Sequence, residues 1–283
     1  MLLILLSLFA NLAAAEPRIV ALGDLHADPI AARNVLQLAR ITDKSGQWIG
    51  GNTILIQTGD ITDKGPSSRE VVRILSTLQH EARAAGGDVI GVLGNHEVLN
   101  LDGHWRGVDA RDLGEFKDKA ARIRDLQPSG TMGKWIHQSP MVVLRSETIF
   151  VHGGVSAKMA EAGIDKLTSL TARDRLKTQN AAFFGGEGPM WYRGYLQNGE
   201  NQACPEIERA LTMLGARRMV MGHTTQGDGR IKSRCEGKII GIDTGISGHS
   251  GRRYSAFELV DGDSRAIHPD GTTDLPDPPG HNN

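Results

Sequence analysis

Eight polar side chains stand just after short apolar runs, and their types could build a metal centre. They are Asp24 and His26 in "GDLHAD", Asp60 and Asp63 in "GDITDKG", Asn95 and His96 in "GNHE", His152 in "VHGG" and His223 in "GHT". All offer oxygen or imidazole nitrogen and none a thiolate. Such a set suits zinc, manganese or iron rather than copper(I) or an iron–sulfur cluster. A single Gly-Asp is an ordinary turn dipeptide, and a lone histidine is more often a hydrogen-bonded residue than a ligand. Five strand ends that each carry a donor are hard to read as turns. Converging carboxylates would repel each other and lose solvation unless a cation joined them. Two ions explain the number of donors better than one. A carboxylate bridging ions about 3.5–4 Å apart is a common layout for phosphoryl displacement, in which a shared water loses its proton near neutral pH and attacks as hydroxide. Phosphate monoesters need up to ~10²¹-fold acceleration, and two cations beside the developing charge could supply much of it.

These residues need a scaffold that brings distant segments to one edge. Apolar, β-branched runs recur: "RIVALGD", "NTILIQTGD", "DVIGVLGNH", "ETIFVHGG" and "RRMVMGH". They are continuous rather than alternating, as in buried strands. Between the first three lie "DPIAARNVLQLARI", apolar at helical spacing, and "PSSREVVRILSTLQHEARAAGG", with a Pro/Ser start and a Gly-Gly stop. Strand alternating with helix predicts parallel pairing and right-handed crossovers, with functional groups at the carboxyl ends of the strands. The polar stretch of about 101–138 reads as a helical insertion over those ends, and more helix is expected from 155 to about 184. "KIIGIDTG" and "YSAFELV" add short strands. The fold class is α/β: a sandwich of two facing sheets flanked by helices. The main domain is expected over 16–268, followed by a disordered tail, 269–283, rich in Pro, Gly and Asp.

The formal net charge is −1 with no long basic block, which speaks against a non-specific nucleic-acid or anionic-membrane binder. The first fifteen residues, "MLLILLSLFANLAAA", are apolar and end in small residues. They are too short to span a bilayer comfortably, which takes ~20 residues. Ala13 and Ala15 fit a signal peptide cleaved near Ala15, although a basic n-region is missing. The mature protein is therefore expected to be exported, periplasmic or secreted. In that setting Cys204 and Cys235 are expected to form a disulfide.

The motifs together resemble the calcineurin-like metallophosphoesterases, in particular the phosphoprotein phosphatase branch. The longer strings "GNHEVLN", "PMWYRGY", "VMGHT" and "DTGIS" are similar to the group called Shewanella-like protein phosphatases. The resemblance runs from about residue 18 to residue 260. It implies that Asp24 and His26 hold a first metal, that Asp60 bridges, and that Asn95, His152 and His223 complete a second. It implies His96 as the general acid, oriented by Asp63, and Arg193 as a phosphate clamp. Asn95 and Lys64 would also face phosphate. Lys64 departs from the pattern, which has arginine there, and offers a point charge instead of a planar fork. Ala27 replaces a glycine of the pattern. Thr225 replaces a histidine found in many metallophosphoesterases outside this branch.

Asp28 reads as a helix cap before Pro29. Glu97 and Asn100 fit either support for His96 or an exposed helix start. His104, His137, His249 and His268 lie outside any motif and are expected at the surface. The expected activity is hydrolysis of phosphoserine, phosphothreonine, phosphotyrosine or small phosphomonoesters with two divalent or trivalent ions, Mn, Fe or Zn. The alternatives are a dinucleoside polyphosphate hydrolase and a non-catalytic metal or phospholigand binder. Oligomeric state is not legible in the sequence.

Overall fold

The computed structural model describes residues 16–279. The expected signal peptide, 1–15, lies outside them. The first parallel unit is β1 (Ile19–Leu22), α1 (Pro29–Leu38), β2 (Ile54–Gln57), α2 (Ser68–Ala84) and β3 (Asp88–Gly91). α1 starts where Asp28 caps it, its carboxylate accepting from Ile30 N and Ala31 N, with Pro29 in the first turn. α2 starts at Ser67, whose hydroxyl accepts from Glu70 N.

β1 pairs in parallel with β2, and β2 with β3. On the other side of β1 come β9 (Ala256–Val260), β10 (Asp263–His268) and β11 (Gly271–Asp274), all antiparallel. The second sheet has β4 (Val142–Arg145), β5 (Thr148–Val151), β6 (Arg218–Met221), β8 (Ile239–Gly241) and β7 (Lys232–Arg234) side by side.

The period of two along each strand divides its side chains between two cores. Ile19, Ala21, Ile56, Phe150, Val220, Ile240 and Phe257 form the apolar layer between the sheets. Phe150 and Phe257 meet edge to face with centroids 6.3 Å apart. The alternate residues Val20, Leu22, Leu55, Ile149, Val151, Met219 and Met221 join the core under the helices. Burial on both faces is why these strands read as continuous apolar runs.

After α3 (Asn95–Leu101), the insertion carries α4 (Ala110–Gly114), α5 (Lys119–Asp125) and α6 (Thr131–Gln138). Beyond 155 the expected helix is fragmented into short turns over 157–184. Cys204, in the helix Glu200–Leu214, is disulfide-bonded to Cys235 in the β7–β8 turn, Cα to Cα 5.4 Å. Among the described residues no helix is long and apolar enough to cross a membrane.

Two expectations need correction. The composition of 269–283 predicts a disordered tail, but β11 pairs with β10 over four residues. Asp277 then accepts from Arg218 Nη2 at 2.7 Å and from Ser264 Oγ at 3.0 Å. Backbone pairing and an ion pair to a buried arginine hold a segment whose strand side chains are all exposed. Residues 280–283 lie outside the described range. His137 and His268 are buried, not at the surface. His137 Nε2 faces Leu126 O at 3.1 Å, a contact across the insertion that no local pattern reveals.

Candidate metal centre

The strand ends converge where β1, β2 and β3 meet the end of β5 and β6. Loop contacts fix the convergence: Leu25 N and His26 N donate to Asp60 O at 3.1 and 2.9 Å, and Ala27 N donates to Ile61 O at 2.8 Å. Two glycines allow the close approach. Gly59 has φ +95, and a Cβ there would lie 2.7 Å from Gly94 Cα and 2.9 Å from His152 Nδ1. A Cβ on Gly94 would lie 2.3 Å from Asp60 N.

Several polar residues take positive φ instead of leaving it to glycine: His26 (41°), Asp60 (54°), Asp63 (66°), Lys64 (63°) and His223 (62°). Ala27, the departure noted from sequence, also accepts it at 52°. Left-handed backbone costs a non-glycine residue roughly 1–2 kcal/mol. The surrounding hydrogen bonds hold these residues there, and the gain is the direction in which their side chains point.

Asp24, His26, Asp60, Asn95, His152 and His223 all reach the centre and all are buried. Each carboxylate is anchored through one oxygen. Asp60 Oδ1 accepts from His96 N and Asp24 Oδ1 from His223 N, both at 3.0 Å. The second oxygens face imidazoles: His26 Nε2 lies 3.6 Å from Asp24 Oδ2 and 3.9 Å from Asp60 Oδ2. Among the described residues, two groups have ligand atoms mutually within 4.8 Å: His26, Asp60 and His96, and Asp60, His152 and His223. Asp60 belongs to both. His96 Nε2, 3.9 Å from Asp60 Oδ2, stands as close to that oxygen as His26 does.

The donor orientations suit cations. Thr58 O can only accept, so His152 Nδ1, 2.8 Å away, donates to it. The Nε2 lone pair is thereby aimed at two oxygens, Asn95 Oδ1 at 2.9 Å and Asp60 Oδ1 at 3.2 Å. A lone pair facing two oxygens is repulsive; a proton or a metal ion between them makes the arrangement favourable. Burial disfavours the charged imidazole, but Asp60 and Asp24 push His152 up to about 9. Burial also works against an ionised Asp60, yet His152 and His96 hold its carboxyl well below the usual range. Asp24 is pushed the other way by burial and by the Asp243 carboxylate. Burial and His152 lower His223 to about 2, and among the described residues its buried Nε2 has no hydrogen-bond partner. The residues present therefore fit metal ions.

His96 is the most accessible imidazole of the group, its side chain 14% exposed. Its Nδ1 is 2.7 Å from Asp63 Oδ2, which turns Nε2 toward the centre. Burial opposes its charged form, but Asp60 and the hydrogen-bonded Asp63 prevail and raise its pKa.

Arg193 and Lys64 lie at the edge, each engaged with a histidine. Arg193 Nη1 donates to His223 O at 2.7 Å, and its Nη2 is 3.4 Å from His223 Nδ1. Lys64 Nζ is 2.9 Å from His26 Nε2. Because His26 Nδ1 faces Thr62 O at 3.2 Å, Nε2 carries the lone pair, and the ammonium donates to it. Lys64 thus places its positive charge on a donor atom of the centre.

Three buried residues support the centre: Glu97 and Asn100, for which the sequence left two readings open, and Asp243, which it did not single out. Glu97 is not an exposed helix start. Its carboxylate accepts from Asp60 N, Ile61 N, Thr62 N, Thr62 Oγ1 and Gly94 N at 2.9–3.1 Å, tying the Asp60 loop to α3. Asp243 is buried and accepts from Thr225 Oγ1 at 2.6 Å, which gives that threonine its partner. Its signal was available, because it follows the apolar end of "KIIGI". Asn100 donates to Asp63 Oδ1 at 2.7 Å.

The model of the family described as calcineurin-like phosphoesterase matches residues 17–227. Shewanella-like protein phosphatase 2 of Arabidopsis thaliana is 30% identical, over 81% of this chain and 71% of the plant protein. Shewanella-like protein phosphatase 1 of Plasmodium berghei is 29% identical, over 86% of this chain and 72% of its own. Among solved structures, a cold-active protein-tyrosine phosphatase of a psychrophilic Shewanella species superposes with a TM-score of 0.80 at 25% identity, covering 92% of this chain and 80% of its own.

Proposed function

Because the chain belongs to the calcineurin-like phosphoesterase family and is a metal-dependent phosphatase, we propose that it hydrolyses phosphomonoesters, on proteins or on small molecules, at the centre around Asp60. The observation that carries the reading is the place of Asp60 at one strand edge, with His26 and Asp24 on one side of it and His152 and His223 on the other. Asp24, His26 and Asp60 would hold one ion, and Asp60, Asn95, His152 and His223 the other. When bound, the ions supply positive charge that makes water nucleophilic and offsets the charge developing on the phosphoryl group. Arg193 orients the phosphate with its guanidinium fork, and Lys64 and Asn95 add to the polar wall around it. His96, turned by Asp63, gives a proton from Nε2 to the departing ester oxygen. Asp63 keeps the tautomer in which Nδ1 donates to it.

Manganese is the first ion to test, because oxygen and nitrogen donors of this kind accept several metals. Export to an oxidising compartment is part of the proposal and is supported by the Cys204–Cys235 disulfide. A dinucleoside polyphosphate is the weaker alternative, because similarity to the protein phosphatases runs along more of the chain than similarity to dinucleoside tetraphosphatases does.

The test is a substrate profile of the metal-loaded protein. Phosphoserine, phosphothreonine and phosphotyrosine peptides, p-nitrophenyl phosphate and diadenosine tetraphosphate are compared, with metal content measured on the same sample. Release of inorganic phosphate from the monoesters, lost on chelation and regained with Mn²⁺, is expected. Turnover that survives removal of all bound metal would overturn the mechanism, and turnover of the dinucleotide alone would overturn the substrate class.

A further inference from the structure

We infer that Asn100 and Arg122 are positioning residues, through which the helical insertion sets the direction of the His96–Asp63 pair. The inference rests on the proposed role of His96 as the proton donor. Arg122, on α5, has no exposed surface, and neither has Asp112, on α4. Arg122 Nη1 donates to Asp112 Oδ2 at 2.9 Å, and Nη2 donates to Asn100 Oδ1 at 2.8 Å. Its guanidinium also lies 5.1 Å from the Phe116 ring centroid and 5.6 Å from that of Trp105.

A guanidinium can only donate, so the oxygen of the Asn100 amide must face it. The amide NH₂ is then forced toward Asp63, where Nδ2 donates to Oδ1 at 2.7 Å and also to His96 O at 2.9 Å. With Oδ1 occupied, Asp63 presents Oδ2 to His96 Nδ1. The circuit closes on its far side, where Ser68 Oγ donates to Asp112 Oδ2 at 2.9 Å and lies 3.4 Å from Asp63 N. Both the side chain and the backbone of Asp63 are thus held by one buried ring that passes through Arg122. An ion pair so fully desolvated is weak support for stability alone, whereas orientation of a proton donor needs this kind of directional hydrogen bonding.

The test uses leaving groups. A positioned acid matters most when the departing oxygen is a poor leaving group, so phenyl phosphate depends on it more than p-nitrophenyl phosphate does. In the full-length, Mn²⁺-loaded protein, Asn100→Ala is expected to lower kcat on phenyl phosphate by about tenfold or more, and on p-nitrophenyl phosphate by less than about threefold. Bound metal per chain is expected to stay the same. Arg122→Lys keeps a charge on Asp112 but cannot fork to Asn100 as well, and it is expected to move the ratio the same way by a smaller factor. If Asn100→Ala does not fold, as judged by thermal melting, the Arg122→Lys ratio decides. An equal fall on both esters, or an unchanged ratio, would overturn the inference. Wild-type protein that hydrolyses neither ester would instead overturn the reading of the site.

Discussion

The strand-end centre and the helical insertion both bury charge, and they balance it differently. In the insertion, Asp112 meets Arg122 directly, and the guanidinium, left without a partner among the described residues only at Nε, lies against the Phe116 and Trp105 rings. At the strand ends, Asp24 and Asp60 face mainly imidazoles. The Lys64 ammonium lies against His26, and among the described residues His223 Nε2 has no hydrogen-bond partner. A buried group matched within the chain marks a part that holds shape. A buried group left for a cation to match marks a part that takes a ligand.

The largest expected effect breaks the unbalanced side. Asp60→Asn removes the carboxylate common to both donor groups and should lower kcat by roughly 10³-fold or more, given the size of a single electrostatic contribution. Metal analysis of the same variant should show a loss of bound ion. Full activity with full metal content would mean the two regions do not differ as described.

The next breaks the balanced side. Arg122→Met leaves Asp112 buried and unpaired and should destabilise by about 3–5 kcal/mol in denaturant unfolding. Arg122→Met with Asp112→Leu removes both charges and should recover most of that loss. If the double variant is no better than the single one, the pair is not balanced on its own terms.

A smaller effect lies between the regions. The carboxylate of Asp63 helps raise the pKa of His96. A raised value means the acid form is present below it and is lost as pH rises through it. Asp63→Asn should therefore move the alkaline limb of the kcat profile to lower pH. An unmoved limb would separate His96 from that limb.

The smallest effect is expected from Lys64→Arg. It keeps the charge but changes the point donor on His26 into a fork. Phosphate inhibition should shift by less than about tenfold, with metal content unchanged. A change in metal content would assign Lys64 to the balance of the centre itself.

The same division governs what could be read in the sequence. Asp24, Asp60, His152 and His223 were legible because each follows an apolar run, and strand ends in a parallel arrangement meet at one edge. The two facing sheets followed from the same runs. Arg122 was not legible. Its partners lie ten and twenty-two residues away, in a stretch whose polarity resembles that of an exposed surface. Glu97 was ambiguous because its five donors come mostly from the distant Asp60 loop. β11 escaped for a different reason: its side chains are exposed, and only backbone pairing and the Arg218–Asp277 contact beyond it keep the segment in place. Polar long-range contacts leave no periodicity in the chain.

The left-handed backbone at Asp60, Asp63 and His223 bears on how this protein could be engineered. Glycine at any of these positions would relieve local strain, so selection for heat resistance alone would drift toward sequences that fold well and do nothing. Libraries built on this scaffold should therefore hold those three codons fixed and vary the apolar layer between the sheets. There, hardening the fold leaves untouched the directions in which the reactive groups point.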